Sequence, residues 1–336
     1  MSKNIVVGGQ YGDEGKGKII SYLAIHDKPE IIARGGVGPN AGHEVWYKGQ
    51  RFPMRMLSCG FVYENARILI GAGVSVNPDV FLKEVEMTKT HGRAGIDFRA
   101  TVITQEHIEA DASSENSARI GTTKTGCGPA VSGRAARTAK TIADYVAEPG
   151  HEDFKKYVTD VPKEVNSAKS VLVEGSQGFM LSVYYGTYPF CTSKDTSASS
   201  IAADVGLGPT KINDVIMVIK AYTTRVGSGH LPEELSVDEA KQLGFQEYGT
   251  VTGRPRRTSK NLHWDNLRLA AMINGATQIA LTKLDVKFPA VAGVKKYSEL
   301  TSEAKSFIEI IEKEVGIPVT LIGTGKDAED IVDRRK

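Results

Sequence analysis

The sequence predicts an α/β protein: an open, mostly parallel central sheet flanked by helices, with small insertions. Two observations carry this. Short apolar runs alternate with stretches of helical periodicity along the chain, and several of the runs end in glycine or polar residues. Strands buried on both faces read as continuous apolar runs, and parallel neighbours need helical crossovers. With 336 residues, 40% of them apolar, the chain can bury a large core without disulfide staples.

Residues 4–7 form the first apolar run and end in Gly8-Gly9, a buried strand feeding a glycine-rich turn. Residues 18–25 then carry apolar positions at helical spacing. Residues 30–33 and 67–70 read as further strands, each followed by glycines. A helix is expected over 78–90, with Asn77 as its N-cap and Pro78 in its first turn. Residues 170–173 and 214–220 are strand candidates. A helix at 262–273 precedes a strand at 277–282, and a helix at 303–315 precedes a strand at 319–322. The polar segment 104–118 reads as a lobe or subunit-contact insertion, and 236–245 as a short helix on an excursion. With no repeat, low-complexity tract or proline-rich linker, residues 1–336 are expected to form one domain.

The net charge of +2 gives no global field for nucleic acid or an anionic membrane. Cys59, Cys127 and Cys191 are too widely spaced for a disulfide framework or a zinc pattern. The N-terminal apolar run is too short for a signal peptide and no stretch has transmembrane length, so a soluble, cytoplasmic protein is expected.

Residues 8–18, GGQYGDEGKGK, follow the first strand. Gly12, Gly15 and Gly17 permit tight bending, and backbone amides beside a helix N-terminus suit an anion. Lys16 and Lys18 add positive charge. The spacing is not the standard GxxxxGK(S/T) loop. A carboxylate in a phosphate cradle needs a cation or a proton-transfer role, so Asp13 is a candidate Mg2+ ligand, general base, or both. Hydroxyls and glycines in IGTTKTGCGPA (120–130) suit a phosphate monoester. Gln177, in VEGSQG (173–178), has the donor and acceptor to read a purine edge. Arginines in GTVTGRPRR (249–257) suit the carboxylates of a diacid. In TKLD (282–285), the Lys283 stem can stack on a base while Asp285 accepts from guanine N1–H and the 2-amino group.

GQYGDEGKGK resembles the signature of the adenylosuccinate synthetases, with Tyr11 in place of the usual tryptophan. The motifs GGVGPNAGHEV (35–45), IGTTKTGCGPA, VEGSQG, GTYPFCTSKDTSASS (186–200), TTRVGSG (223–229), GTVTGRPRR and TKLD follow in the family's order. The compact, archaeal-type branch is the nearest likeness. The resemblance implies a P-loop-NTPase-like fold and GTP-dependent joining of L-aspartate to IMP through 6-phosphoryl-IMP, with Mg2+ as cofactor, in a homodimer.

It further implies Asp13, His43, Lys16 and Gln177 in catalysis. GTP falls to Gly12, Glu14, Gly15, Lys16, Gly17, Lys18, Gly42, His43, Glu44, Arg256, Lys283, Leu284, Asp285, Gly323, Thr324 and Gly325. IMP falls to Asp13, Asn40, Ala41, Thr123, Arg137, Gln177, Thr192 and Arg254, with Arg137 reaching into the partner's site. Aspartate falls to Thr250, Val251, Thr252, Gly253, Arg254 and Arg256, and the metal to Asp13 and the Gly42 carbonyl. Lys124, Thr125, Pro255 and Lys326 depart from the family pattern. Two rival readings stand beside this one: a relative that takes dGMP, and a GTP-binding switch without ligase chemistry.

Overall fold

The computed structural model describes residues 2–249, 253 and 255–335. Its strands, in chain order, are β1 (Lys3–Gly8), β2 (Ile31–Arg34), β3 (His43–Tyr47), β4 (Gln50–Met54), β5 (Arg67–Ile70), β6 (Ser75–Val76), β7 (Ala94–Asp97), β8 (Thr101–Val102), β9 (Val158–Thr159), β10 (Val171–Glu174), β11 (Asp214–Lys220), β12 (Thr224–Arg225), β13 (Arg257–Thr258), β14 (Gln278–Thr282), β15 (Val319–Gly323) and β16 (Ile331–Asp333). Ten of them make one sheet in the order β16-β15-β14-β11-β1-β10-β2-β5-β7-β9. Every pairing in it is parallel except β15 with β16.

β1 shows why the sheet is double-faced. Ile5 and Val7 enter one buried cluster and Val6 the other, as the two-residue strand period requires. The helix α1 (Lys16–Asp27) packs Ile19, Ile20 and Leu23 into the Val6 cluster. The helices Trp264–Asn274 and Ser302–Val315 cover the opposite face through Leu267, Ala270, Ile308 and Ile311. α2 (Pro78–Thr88) starts as its sequence predicts: Asn77 Oδ1 accepts from Val80 N at 3.0 Å, with Pro78 in the first turn.

The 104–118 segment becomes two helices, α3 (Gln105–Ser113) and α4 (Glu115–Ile120), followed by α5 (Cys127–Ala136). His43, expected in a glycine-rich loop, is instead the first residue of the β3–β4 hairpin.

Because the strands run parallel, the segments that follow them emerge along one edge. The cradle follows β1, residues 35–42 follow β2, Gly175–Gly178 follow β10, and Lys283 and Asp285 follow β14. Crevices beyond the carboxyl ends of an open α/β sheet are where such folds place ligands.

Candidate active site

A cavity of about 590 Å3 opens at this edge. Its wall includes Gly12, Asp13, Lys16, Asn40, Ala41, Gly42, His43, Thr123, Gln177 and Thr192. Five separate motifs therefore converge on one space. Asp13, Gln177 and Lys283 each hold φ near +60° (60°, 59° and 59°), a conformation that costs a side-chain-bearing residue energy and is kept where the backbone must present a group.

The cradle is arranged differently from a simple ring of free amides. Glu14 is fully buried and its carboxylate accepts from Gln10 N at 3.1 Å and Gly12 N at 2.9 Å. Lys16 Nζ binds the same carboxylate at 2.7 Å. Glu14 thus shapes the loop from within and aims Lys16, rather than facing a ligand. The loop closes against Gly178: a Cβ there would lie 2.3 Å from both Glu14 Oε1 and Gly12 N, so only glycine fits.

A chain of amides and a hydroxyl crosses the cavity wall. Gln177 Nε2 donates to Asn40 Oδ1 at 3.1 Å, and Asn40 Nδ2 donates to Thr192 Oγ1 at 3.3 Å. Opposite, Asp111 of α3, itself buried, accepts from Thr122 Oγ1 at 2.8 Å and from Gly126 N at 3.0 Å. The supposed insertion therefore braces the loop that carries Thr123.

His43 is buried beside Glu174, the last residue of β10, and the carboxylate accepts a hydrogen bond from its Nδ1. Glu174 also accepts from Ser58 Oγ at 2.5 Å and Cys59 N at 2.8 Å, with Arg34 Nη1 at 3.4 Å. Burial pushes Glu174 up, but His43 and the Arg34 guanidinium outweigh it and hold the carboxyl at about 2. Burial and the Arg34 charge push His43 down to about 4, with Glu174 opposing them. A neutral ring donating through Nδ1 keeps Nε2 as its free nitrogen on the cavity side.

Arg256 lies beside the cavity, its Nε 2.8 Å from Asp13 Oδ2, and it also pairs with Glu247. Glu247 gathers Lys220 Nζ at 2.7 Å, Lys283 Nζ at 3.3 Å and the Tyr222 hydroxyl. Burial alone would raise Glu247; the cations, Lys220 first, hold it well below the usual carboxylate range.

Asp285 follows β14 and is half-buried. Its Oδ1 is buried and has no hydrogen-bond partner among the described residues. An orphaned acceptor is costly unless a ligand supplies the donor. Leu284 belongs to the core, and Thr324 turns its hydroxyl to Val294 O at 2.8 Å, so both support this corner from behind. Glu44 is spent on Trp46 Nε1 at 2.9 Å and Arg51 Nε at 2.6 Å, outside the cavity wall. The same hairpin holds residues 326–328: Trp46 O accepts from Ala328 N at 2.8 Å, and Lys326 Nζ sits 4.2 Å from the Trp46 ring centre. Gly17 leaves room for that hairpin, since a Cβ there would stand 3.2 Å from Glu44 O and 3.3 Å from His43 Cβ. Arg137 is exposed at the end of α5 and does not reach its own chain's cavity. Thr250, Val251, Thr252 and Arg254 lie outside the described residues; Gly253 is described, exposed, with φ at 62°.

Residues 5–159 and 141–289 match the family model described as adenylosuccinate synthetase. An adenylosuccinate synthetase of Archaeoglobus fulgidus is 54% identical over 343 residues, covering 100% of this chain and 99% of its own length. The chain belongs to the adenylosuccinate synthetase family. Among solved structures, the fully ligated adenylosuccinate synthetase of Plasmodium falciparum superposes with a TM-score of 0.91 at 27% identity, over 98% of this chain and 99% of that one. A cyanophage S-2L succinoaminodeoxyadenylate synthetase bound to dGMP and dATP shares the fold at a TM-score of 0.83 and 24% identity, over 99% and 95% of the two chains.

The family assignment makes the chain a GTP-using ligase of L-aspartate and IMP, and it sets aside the reading of a GTP switch without ligase chemistry. Sequence reasoning missed Glu174, Asp111 and Glu247. Glu174 had a signal, an acidic residue closing an apolar strand just before the Gln177 loop; the other two had none.

Proposed function

We propose that this chain forms adenylosuccinate from IMP and L-aspartate in two steps at the cavity above β1, β10 and β2. The observation that carries the reading is the convergence of Asp13, Asn40, His43, Thr123, Gln177 and Thr192 on one wall. IMP lies along the Gln177–Asn40–Thr192 chain with its phosphate toward Thr123. Asp13 removes the N1 proton, and O6 becomes the nucleophile toward the γ-phosphate of GTP. Lys16, aimed by Glu14, steadies the charge that develops there, and His43, once the charge of the incoming phosphates draws a proton onto its Nε2, donates from that nitrogen to the transferring phosphoryl group. The aspartate amine then displaces phosphate from C6. Arg256, with Arg254, takes the aspartate carboxylates, and Arg256 leaves Asp13 when they arrive.

Asp13 and the Gly42 carbonyl are hard oxygen donors on one wall, a set that suits Mg2+ with phosphate oxygens and water completing its shell. When bound, Mg2+ supplies charge neutralisation across the phosphates. Asp285, through its unpaired Oδ1, reads guanine. Arg137, exposed and not part of its own cavity's wall, serves a second copy of the chain in a homodimer. We take the whole chain as one domain. No helix among the described residues is long and apolar enough to cross a membrane, in keeping with a cytoplasmic enzyme.

The test is product formation by purified protein with Mg2+, L-aspartate and GTP, omitting each in turn and comparing IMP with dGMP. Adenylosuccinate with stoichiometric GDP and phosphate from IMP is the expected result. Turnover with dGMP alone, or GTP hydrolysis independent of nucleotide and aspartate, overturns the proposal.

A further inference from the structure

We infer that Lys18 is a positioning residue for guanine recognition and not a phosphate ligand, an inference that rests on the GTP reading above. Lys16 and Lys18 are two residues apart at the start of α1 and point to different places. Lys16 lines the cavity; Lys18 does not. Lys18 Nζ instead donates to Gly325 O at 2.5 Å and Asp330 O at 2.8 Å, crossing from the first helix to a loop more than 300 residues later. A Cβ on Gly323 would stand 3.5 Å from that ammonium, so the cation lies directly under the turn after β15. Asp285, with its unpaired buried Oδ1, is close enough for the two charges to act on each other.

The chemistry fits a clamp better than a phosphate contact. An ammonium that has given two donors to backbone carbonyls and is almost wholly buried holds those carbonyls in place. The segment it holds is otherwise tied by Asp327 N to Asp330 Oδ2 at 3.1 Å, Lys295 Nζ to Asp330 Oδ1 at 2.8 Å, and Gly293 N to Thr324 O at 2.7 Å. Lys18 is thus the strut between the phosphate-binding helix and the loop facing the Asp285 carboxylate. Losing it lets the loop drift from the base while Lys16 and the cradle stay in place.

The experiment compares wild type, Lys18→Met and Lys18→Arg in steady-state ligation with GTP and with ITP, which lacks the 2-amino group, and measures GDP binding. For Lys18→Met the preference for GTP over ITP falls about tenfold, mostly through a higher KM for GTP, with kcat at saturation little changed. Lys18→Arg, which can still reach both carbonyls, keeps most of the preference. Equal weakening of GTP and ITP, with GDP bound less affected than GTP, marks Lys18 as a phosphate ligand and overturns the inference. So does an unchanged preference in a folded Lys18→Met. If Lys18→Met does not fold, Lys18→Gln, uncharged and one atom too short to hold both carbonyls, carries the same comparison, and an unchanged preference there overturns the inference. Absence of GTP-dependent ligation by the wild type is a separate failure, of the proposed function itself.

Discussion

Glu174 and His43 are joined through the ring's Nδ1, with the carboxylate locked by Ser58, Cys59 N and Arg34 on its other sides. The strand β10 therefore sets which nitrogen of His43 faces the cavity. In Glu174→Gln the amide must set its nitrogen either against the Cys59 N–H, two donors facing each other, or against His43 Nδ1, which reverses the ring's tautomer, so no single arrangement is fixed. Ligation kcat is expected to fall about a hundredfold with KM for GTP moving much less, read by steady-state kinetics. Nitrogen NMR of His43 should show a mixture of tautomers in the variant and one in the wild type.

The same carboxylate predicts an acid limb in stability. Its folded value is held at about 2, below the ordinary glutamate value of 4.5. Above that ordinary value the unfolded chain gains no proton and the full contribution is present. As pH falls from 4.5 toward 2, the unfolded chain protonates first and the contribution is lost, at about 1.4 kcal/mol per pH unit. Thermal unfolding across this range should therefore show the gap between wild type and Glu174→Gln narrowing toward acid.

With the 121–126 loop on the IMP side, as proposed, Asp111 serves that substrate alone. It anchors Thr122 and Gly126 and touches nothing of the cradle. Asp111→Ala should raise KM for IMP about tenfold and leave KM for GTP within about twofold. A parallel rise in both sinks the assignment of the 121–126 loop to IMP.

As proposed, Asp285 accepts two donors from guanine. An asparagine there accepts one and donates one, which matches xanthine, where a carbonyl replaces the 2-amino group. Asp285→Asn should lose GTP-dependent activity by about a hundredfold and gain activity with XTP, checked in the same ligation assay.

The homodimer is tested by mixing. Asp13→Asn removes the base of its own site, and Arg137→Leu removes the group lent to the partner's site. A hybrid holds one site spoiled twice and one intact. Refolding equal amounts together should therefore recover about a quarter of wild-type activity from two nearly inactive proteins. No recovery places Arg137 in its own subunit's site or outside catalysis.

Much of this was legible in the sequence, and the reasons are local. β5 and β11 have the residue ranges that their apolar runs predict, because strands buried on both faces leave a bounded hydrophobic block. Asn77 and Pro78 mark a helix start by stereochemistry alone. The cavity residues Asp13, Asn40 and Gln177 sit in glycine-rich turns after strands, where the backbone geometry itself selects sequence. What stayed hidden depends on distant pairing. Nothing in residues 105–113 signals that Asp111 meets a loop eleven residues on, and Glu247 reads as an ordinary loop acid until Lys220, Arg256 and Lys283 converge on it. Glu14 and Lys18 misled for the same reason: their charges suggested a ligand, and the folded chain supplies partners for both.

The β3–β4 hairpin begins at His43 and, three residues later, grips the 326–328 segment through Trp46. A strand advances about 3.3 Å per residue, so the two points stand about 10 Å apart on a stiff rod. With GTP placed as proposed, the hairpin would act as a caliper, one jaw at the reacting phosphate and the other at the turn beside the base. A nucleotide missing its terminal phosphate would then touch one jaw but not both, and length as well as lettering would be read.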